Sequence, residues 1–405
     1  MSITALPERA TYAPPAAAPD VAAGPERVPW FIVATTFAAT AIIVGVVWDI
    51  SWHRTIGRDT FWSPPHLAIY LGGVLGGISA GYRILRTTLR GTEAERAASV
   101  RIWGFRGPLG AWVSAWGAAA MITSAPFDDW WHDAYGLDVA ILSPPHAVLA
   151  LGIGGIVAGA ALQVLALQNV AGPALQRAYA RLYAYLGGVW IASACIVWTE
   201  FLLHIHQHSS RFYRVTAGLL PFYLVTLARG GRLRFPATTA AAAYMLFSAA
   251  MVWTLPLFAA EPRLGPIVNH VTHMVPPEFP LLLVVPALAV DLAMRRAREE
   301  ELSGWLAWRT AAVLGAVFLV AHVAVQWTFS TFYLRSALAD TWMFAAHEFD
   351  YATNPARTYR GRGEFFPGDA NAAAARVGML IAALQAVVAA RVGLAFGGWM
   401  RRVRR

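Results

Sequence analysis

Ten apolar stretches, at roughly 29–50, 66–88, 107–127, 146–168, 183–204, 215–229, 237–258, 279–295, 310–333 and 372–397, leave this chain few ways to fold. Most approach the length of about 20 residues that an α-helix needs to cross hydrocarbon, and charge is rare within them. Composition agrees. Of 405 residues 57% are hydrophobic and only 14% charged, where a soluble domain carries about a quarter charged. The expected fold is all-α: a polytopic transmembrane helical bundle of about ten spans.

The charges that remain are sorted along the chain. The net charge of +9 comes from Arg, since there is no Lys. Arg83, Arg86, Arg90, Arg96, Arg101 and Arg106 share one inter-span loop, and Arg177 and Arg181 share the next loop but one. Arg229, Arg232 and Arg234 follow at the same alternation, then Arg295, Arg296 and Arg298, and the chain ends in RRVRR. This is the positive-inside pattern, and it puts both termini in the cytoplasm of a bacterial inner-membrane protein. Arg residues set in short loops between apolar runs speak against nucleic-acid binding. Cys195 is the single cysteine and lies in an apolar run, so no internal disulfide and no thiolate cluster is available. Residues 1–28 are rich in Ala and Pro without helical period, and read as a disordered cytoplasmic tail.

The opposite set of loops holds the histidines; only His322 lies well inside a span. Two segments there match. WDISWHRTIGRDTFWSPPH (48–66) and FDDWWHDAYGLDVAILSPPH (127–146) each carry an Asp four residues before a Trp-His pair. Each then has a Gly four residues after that His, an Asp two further on, and a closing Ser-Pro-Pro-His. Asp49, His53 and His66 form one triad; Asp128, His132 and His146 form the other. Asp49 and His53 share a helix face at i,i+4, while the prolines start the next helix and aim His66 from its first turn. The two hairpins would run in the same sense, a parallel repeat about an axis along the membrane normal. Carboxylates near hydrocarbon need a partner, and a metal ion would supply one. Two His and an Asp without sulfur suit copper, with zinc or non-haem iron as alternatives. Asp59 and Asp138 are candidates for orienting an imidazole through its other N–H, whereas Gly57 and Gly136 serve the turn.

Weaker echoes follow. Glu200-x3-His204 and Asn269-x3-His273 repeat the first half of the motif, with Glu278 after Pro276 and Pro277 where a second His would stand. His206 and His208 join His204 as further metal candidates. GGVLGG (72–77) and GIGGIVAG (152–159) read as small-residue faces for close helix packing. The chain thus divides into the tail, a metal-binding transmembrane region at 29–210, and a further transmembrane region at 211–405. The latter holds a long outer loop, 334–371, that suits docking or a lid.

The triad of Asp49, His53 and His66 resembles the first copper motif in the C subunit of copper membrane monooxygenases. That family includes the particulate methane, ammonia and short-chain hydrocarbon enzymes. Asp128, His132 and His146 are similar to the family's second motif in order and spacing, with Asp128 where the family has Asn. The resemblance covers residues from about 30 to 168. It implies copper held at the outer face, a small apolar substrate oxidised with dioxygen, and electrons from quinol or a cupredoxin-like partner among other oxidase subunits. The family's C subunit is shorter, and residues after 210 have no counterpart in it. The competing expectation is a non-enzymatic protein for copper or zinc transport, sensing or assembly.

Overall fold

The computed structural model describes residues 27–136 and 143–404; the expected tail lies outside the described residues, apart from its last two positions. Ten long helices dominate. They are α1 (Trp30–Thr55), α2 (Pro64–Arg90), α3 (Leu109–Tyr135), α4 (Pro144–Val170), α5 (Pro173–Val197), α6 (Ser210–Gly230), α7 (Pro236–Thr254), α8 (Val284–Arg296), α9 (Leu306–Arg335) and α10 (Ala372–Met400). Seven are long and apolar enough to cross a membrane: α1, α2, α4, α5, α7, α9 and α10. The multi-pass all-α membrane bundle is therefore borne out. The remaining three are α3, whose end carries Asp128, Asp129 and Asp133, the Arg-bearing α6, and α8, which has only 13 residues. Val33, Ile78, Val320, Leu380 and Leu384 point away from the bundle and stay exposed, as expected of a surface that meets lipid.

Glycines let the first four helices approach closely. A methyl group on Gly72 would lie 2.6 Å from the Ala38 carbonyl, fastening α2 to α1. One on Gly117 would lie 2.7 Å from the Gly152 carbonyl, and Gly110 and Gly159 repeat the contact one level away. Both glycine-rich runs thus act as packing faces. Close packing of α1 on α2 and of α3 on α4 holds each pair's outer ends at one depth, and that is where the histidines lie.

Three features depart from expectation. Helix α5 begins ten residues before the apolar segment at 183, because Pro173 starts it in the preceding polar stretch. Helix α8 begins at Val284 rather than near 279; the chain from Phe258 to Leu283 is irregular, broken by Pro262, Pro266, Pro276, Pro277 and Pro280. The loop between α2 and α3 contains a two-stranded antiparallel hairpin, β1 (Val100–Ile102) and β2 (Phe105–Gly107), turning at Trp103 and Gly104.

Candidate metal centre

Each triad is assembled from the facing ends of two helices. Asp49 and His53 occupy the last turns of α1, and His66 the first turn of α2 just after Pro64 and Pro65. The Asp49 carboxylate divides its oxygens between the rings: Oδ1 lies 3.3 Å from Nε2 of His66, and Oδ2 lies 3.8 Å from Nε2 of His53. The second triad does the same. Asp128 Oδ1 lies 3.3 Å from Nε2 of His146, and Oδ2 lies 3.5 Å from Nε2 of His132. In both, one carboxylate faces two imidazole nitrogens across a space the size of an ion.

Asp59 stands elsewhere than expected. It does not lie behind an imidazole but among the donors, with Oδ2 3.5 Å from His53 Nε2 and 3.4 Å from His66 Nε2. Asp49, His53 and Asp59 therefore offer donor atoms that all lie within 4.8 Å of one another, and His66 faces the two carboxylates from the other helix. The neighbouring His53 imidazole, aided by His66, holds the Asp59 carboxyl below the usual carboxylate range despite its partial burial. Asp138, its counterpart by position, lies outside the described residues.

The task of orienting the rings falls to backbone instead. His132 Nδ1 donates to the Gly136 carbonyl at 3.2 Å, and the His53 ring bonds the Gly57 carbonyl. A carbonyl only accepts, so the proton sits on the bonded nitrogen of His132 and its Nε2 is free to act as a ligand. Gly57 and Gly136 have φ of 82° and 96°, a region that glycine enters without strain. The turn that the glycines provide therefore also fixes the histidine tautomer.

The donor sets fit a metal. A first-row divalent cation bound at about 2.0–2.1 Å holds tetrahedral donors roughly 3.4 Å apart, close to the separations here. Asp49 Oδ1 and Asp128 Oδ1, equivalent atoms in the two sites, are buried yet receive no hydrogen bond among the described residues. A buried carboxylate oxygen without a donor is costly, and a cation between it and the imidazole removes that cost. Copper, zinc and iron all accept this ligand chemistry.

Asp49, Asp59 and His66 of the first cluster and all three residues of the second line one cavity of about 370 Å³. Its deeper wall is apolar, with Ile69, Gly73 and Val74 from α2, Met121 and Ile122 from α3, and Leu149 from α4. Asp129 and Asp133 lie on it too, as does Tyr70, whose ring is 5.1 Å from Phe61 and 6.1 Å from His66.

The weaker candidates are not drawn into a third cluster. His204 is buried and pairs with Glu278, Nδ1 to Oε2 at 2.8 Å. His206 packs on Phe366 and His208 is sandwiched between Trp327 and Phe365. His273 faces Glu348 at 3.2 Å, while Asn269 donates to backbone carbonyls of Phe349 and Asp350. Glu200 lies at the edge of a second cavity that His204 also lines.

One structural element was legible only in part, since 334–371 suited docking or a lid but 258–283 was expected to enter a span. Segments 258–283 and 336–371 fold over the end of α1. Arg263 N–H donates to the Ile56 carbonyl and Tyr351 N–H to that of Arg54, at 2.9 and 3.2 Å. The Arg54 side chain in turn donates to the Pro276 and Glu348 carbonyls. Its advance signals were the length of the 334–371 loop, which suited a lid, and Arg54 beside a predicted ligand.

No family profile, no curated protein and no solved structure matches this chain.

Proposed function

We propose that this chain is the copper-binding subunit of a membrane oxidase or monooxygenase that acts on a small apolar substrate with dioxygen. The observation that carries the reading is the pair of like His–Asp–His clusters facing one apolar-walled cavity. Asp49, His53, Asp59 and His66 would hold one ion, and Asp128, His132 and His146 a second. Bound copper would supply dioxygen binding and electron transfer. The chain's own contributions are separate from that chemistry. The Gly57 and Gly136 carbonyls hold the proton of the neutral ring on the nitrogen away from the site and aim the other, and the apolar wall of α2, α3 and α4 admits an uncharged molecule and keeps water from its deeper end.

The likeness of both motifs to those of the copper monooxygenase C subunit supports the same reading, as does the arginine asymmetry that would place the clusters at the outer face. Ten spans, with α3, α6 and α8 crossing beside the seven more apolar helices, belong to this proposal too. The exposure of His53, 44% of its side chain, favours one second reading: capture of copper or zinc for transport, sensing or assembly.

Elemental analysis of detergent-purified protein separates these, run beside a variant with both His66 and His146 replaced by Ala. One or two coppers per chain, lost in the variant, is the expected result. Zinc in the same place would move the conclusion to capture and transport. Equal metal in both proteins would remove the site altogether.

A further inference from the structure

The hairpin of β1 and β2, at the other end of α2 and α3 from the donor clusters, is built against two ordinary preferences. Its turn residues, Trp103 and Gly104, have φ of 49° and 87°. Such a turn favours Asn, Asp or Gly at its first central position, and a bulky residue at positive φ is strained. Yet Trp103 stands there with 78% of its surface exposed. Arg101 lies directly opposite Arg106 across the two strands, although like charges so placed repel. No carboxylate neutralises them. Glu95 is taken by Arg86 at 2.8 Å, and Glu93 makes no ion pair among the described residues. Arg106 donates to the Arg96 carbonyl at 3.0 Å, while Arg101 has no partner among the described residues.

The neighbouring helices set the depth of the hairpin. It packs on the last turns of α2: Arg106 N–H donates to Thr88 Oγ1 at 2.7 Å, and Val100 and Ile102 lie over Ile84, Ala111 and Trp112. Side chains alternate along a strand, so Arg101 and Arg106 occupy the face turned away from the helices. The tip bends along α3, with the Trp103 ring 5.4 Å from that of Trp116, about two turns inside the helix. The next residue, Gly117, is packed on Gly152 within α4, which is long and apolar enough to cross a membrane. Trp103, Phe105 and Trp116, all exposed, thus form an aromatic patch beside a membrane-spanning surface, with the two arginines next to it. Aromatic rings and basic side chains meet in this way at the headgroup layer of a bilayer.

We propose that the hairpin binds an anionic phospholipid: Trp103 enters the interfacial layer, and Arg101 and Arg106 together hold the lipid phosphate. A phosphate between them turns a repulsive pair into a bridged one, and guanidinium groups match phosphate oxygens in pairs. Two cations against one zwitterionic head would leave charge unbalanced, so a head with net negative charge is preferred. Trp103 leaves water for the acyl boundary in the same step, which offsets the strain of its turn. The arginine asymmetry would make this the cytoplasmic leaflet. The site lies at the far end of the helices from the donor clusters, and it is independent of the metal reading.

The test is native mass spectrometry of detergent-purified full-length protein titrated with phosphatidylglycerol and with phosphatidylcholine. One phosphatidylglycerol should be held about tenfold more tightly than phosphatidylcholine. Arg101→Gln should lower that preference about threefold, and the double variant with Arg106→Gln should abolish it. Arg101→Gln breaks no bond within the described chain, so its melting temperature should match the wild type. Arg232→Gln with Arg234→Gln removes the same charge from another loop and should leave the preference intact. A nitroxide on Phe105→Cys, in a Cys195→Ser background reconstituted into phosphatidylglycerol vesicles, should collide more with oxygen than with a water-soluble nickel chelate. No preference for phosphatidylglycerol, or an equal loss in the Arg232 and Arg234 variant, overturns the proposal. So does a nitroxide more open to nickel, which would place the hairpin in water as a surface for an acidic protein or nucleic acid. Displacement of the lipid by equimolar glycerol 3-phosphate would assign the arginines to a soluble anion and overturn it equally.

Discussion

The two donor clusters share one design and differ in what surrounds them. The first has a second carboxylate, Asp59, and is roofed by the outer segments. A methyl group on Gly57 would collide with Tyr351 Oη and meet Leu264 Cβ at 2.9 Å. The second has three donors among the described residues, and a methyl group on Gly136 would meet none of the described atoms within 4 Å. A like donor arrangement therefore rests on unequal support. The first cluster is braced from outside as well as from its helices, while among the described residues the second is held by α3 and α4. It follows that the first should hold an ion more rigidly and resist acid and heat longer. The second is the more adaptable of the two.

The sharpest way to break this contrast is to remove the roof without touching a ligand. Replacing Glu278 by Ala strands the buried Arg360 and should cost about 3–5 kcal/mol. Hydrogen exchange should rise at 346–363 and at the end of α1, and metal should be lost from the first cluster but kept by the second. The same carboxylate sets an acid limit. Its native pKa lies below its unfolded value, so its contribution is full above about pH 4.5 and is lost as pH falls through the native value. The melting temperature of the wild type should drop in that acid range, and that of Glu278→Gln should drop less.

Gly57→Val and Gly136→Val come next. Each forces a branched residue to positive φ, costing about 1–3 kcal/mol. Only Gly57→Val also collides with the roof, so it should lower the melting temperature more. Equal losses would show that the roof does not bear on the turn.

Replacing the bridging carboxylate tests the donors themselves. Asp128→Asn should weaken metal binding about a hundredfold, roughly 2.8 kcal/mol, since no other described carboxylate faces both rings. Asp49→Asn should cost less, because Asp59 remains. Titration with copper under a competing chelator reads both. The smallest effect should come from Asp59→Asn, about tenfold or 1.4 kcal/mol, bringing the first cluster level with the second. A larger loss at Asp59 than at Asp49 would reverse their ranking as ligands.

Sequence alone determined the bundle and the paired triads, because both follow from local rules. Twenty apolar residues without charge have one stable state in lipid, and Asp49 with His53, or Pro65 with His66, are tied by helix geometry over a few residues. The packing role of Gly72 and Gly152 was legible for the same reason. What only the tertiary structure decided depends on residues far apart in the chain. Asp59 joins the donors rather than standing behind them because the loop from Ile56 to Ser63 folds inward, and no spacing rule states which side of a ring it will reach. The pairing of Glu278 with His204 and Arg360 bridges 74 and 82 positions, and the proline-broken segment that carries Glu278 has no periodicity to read. The roof over α1 and the second cavity behind it arise from those contacts, since long loops take their shape from the surfaces they cover.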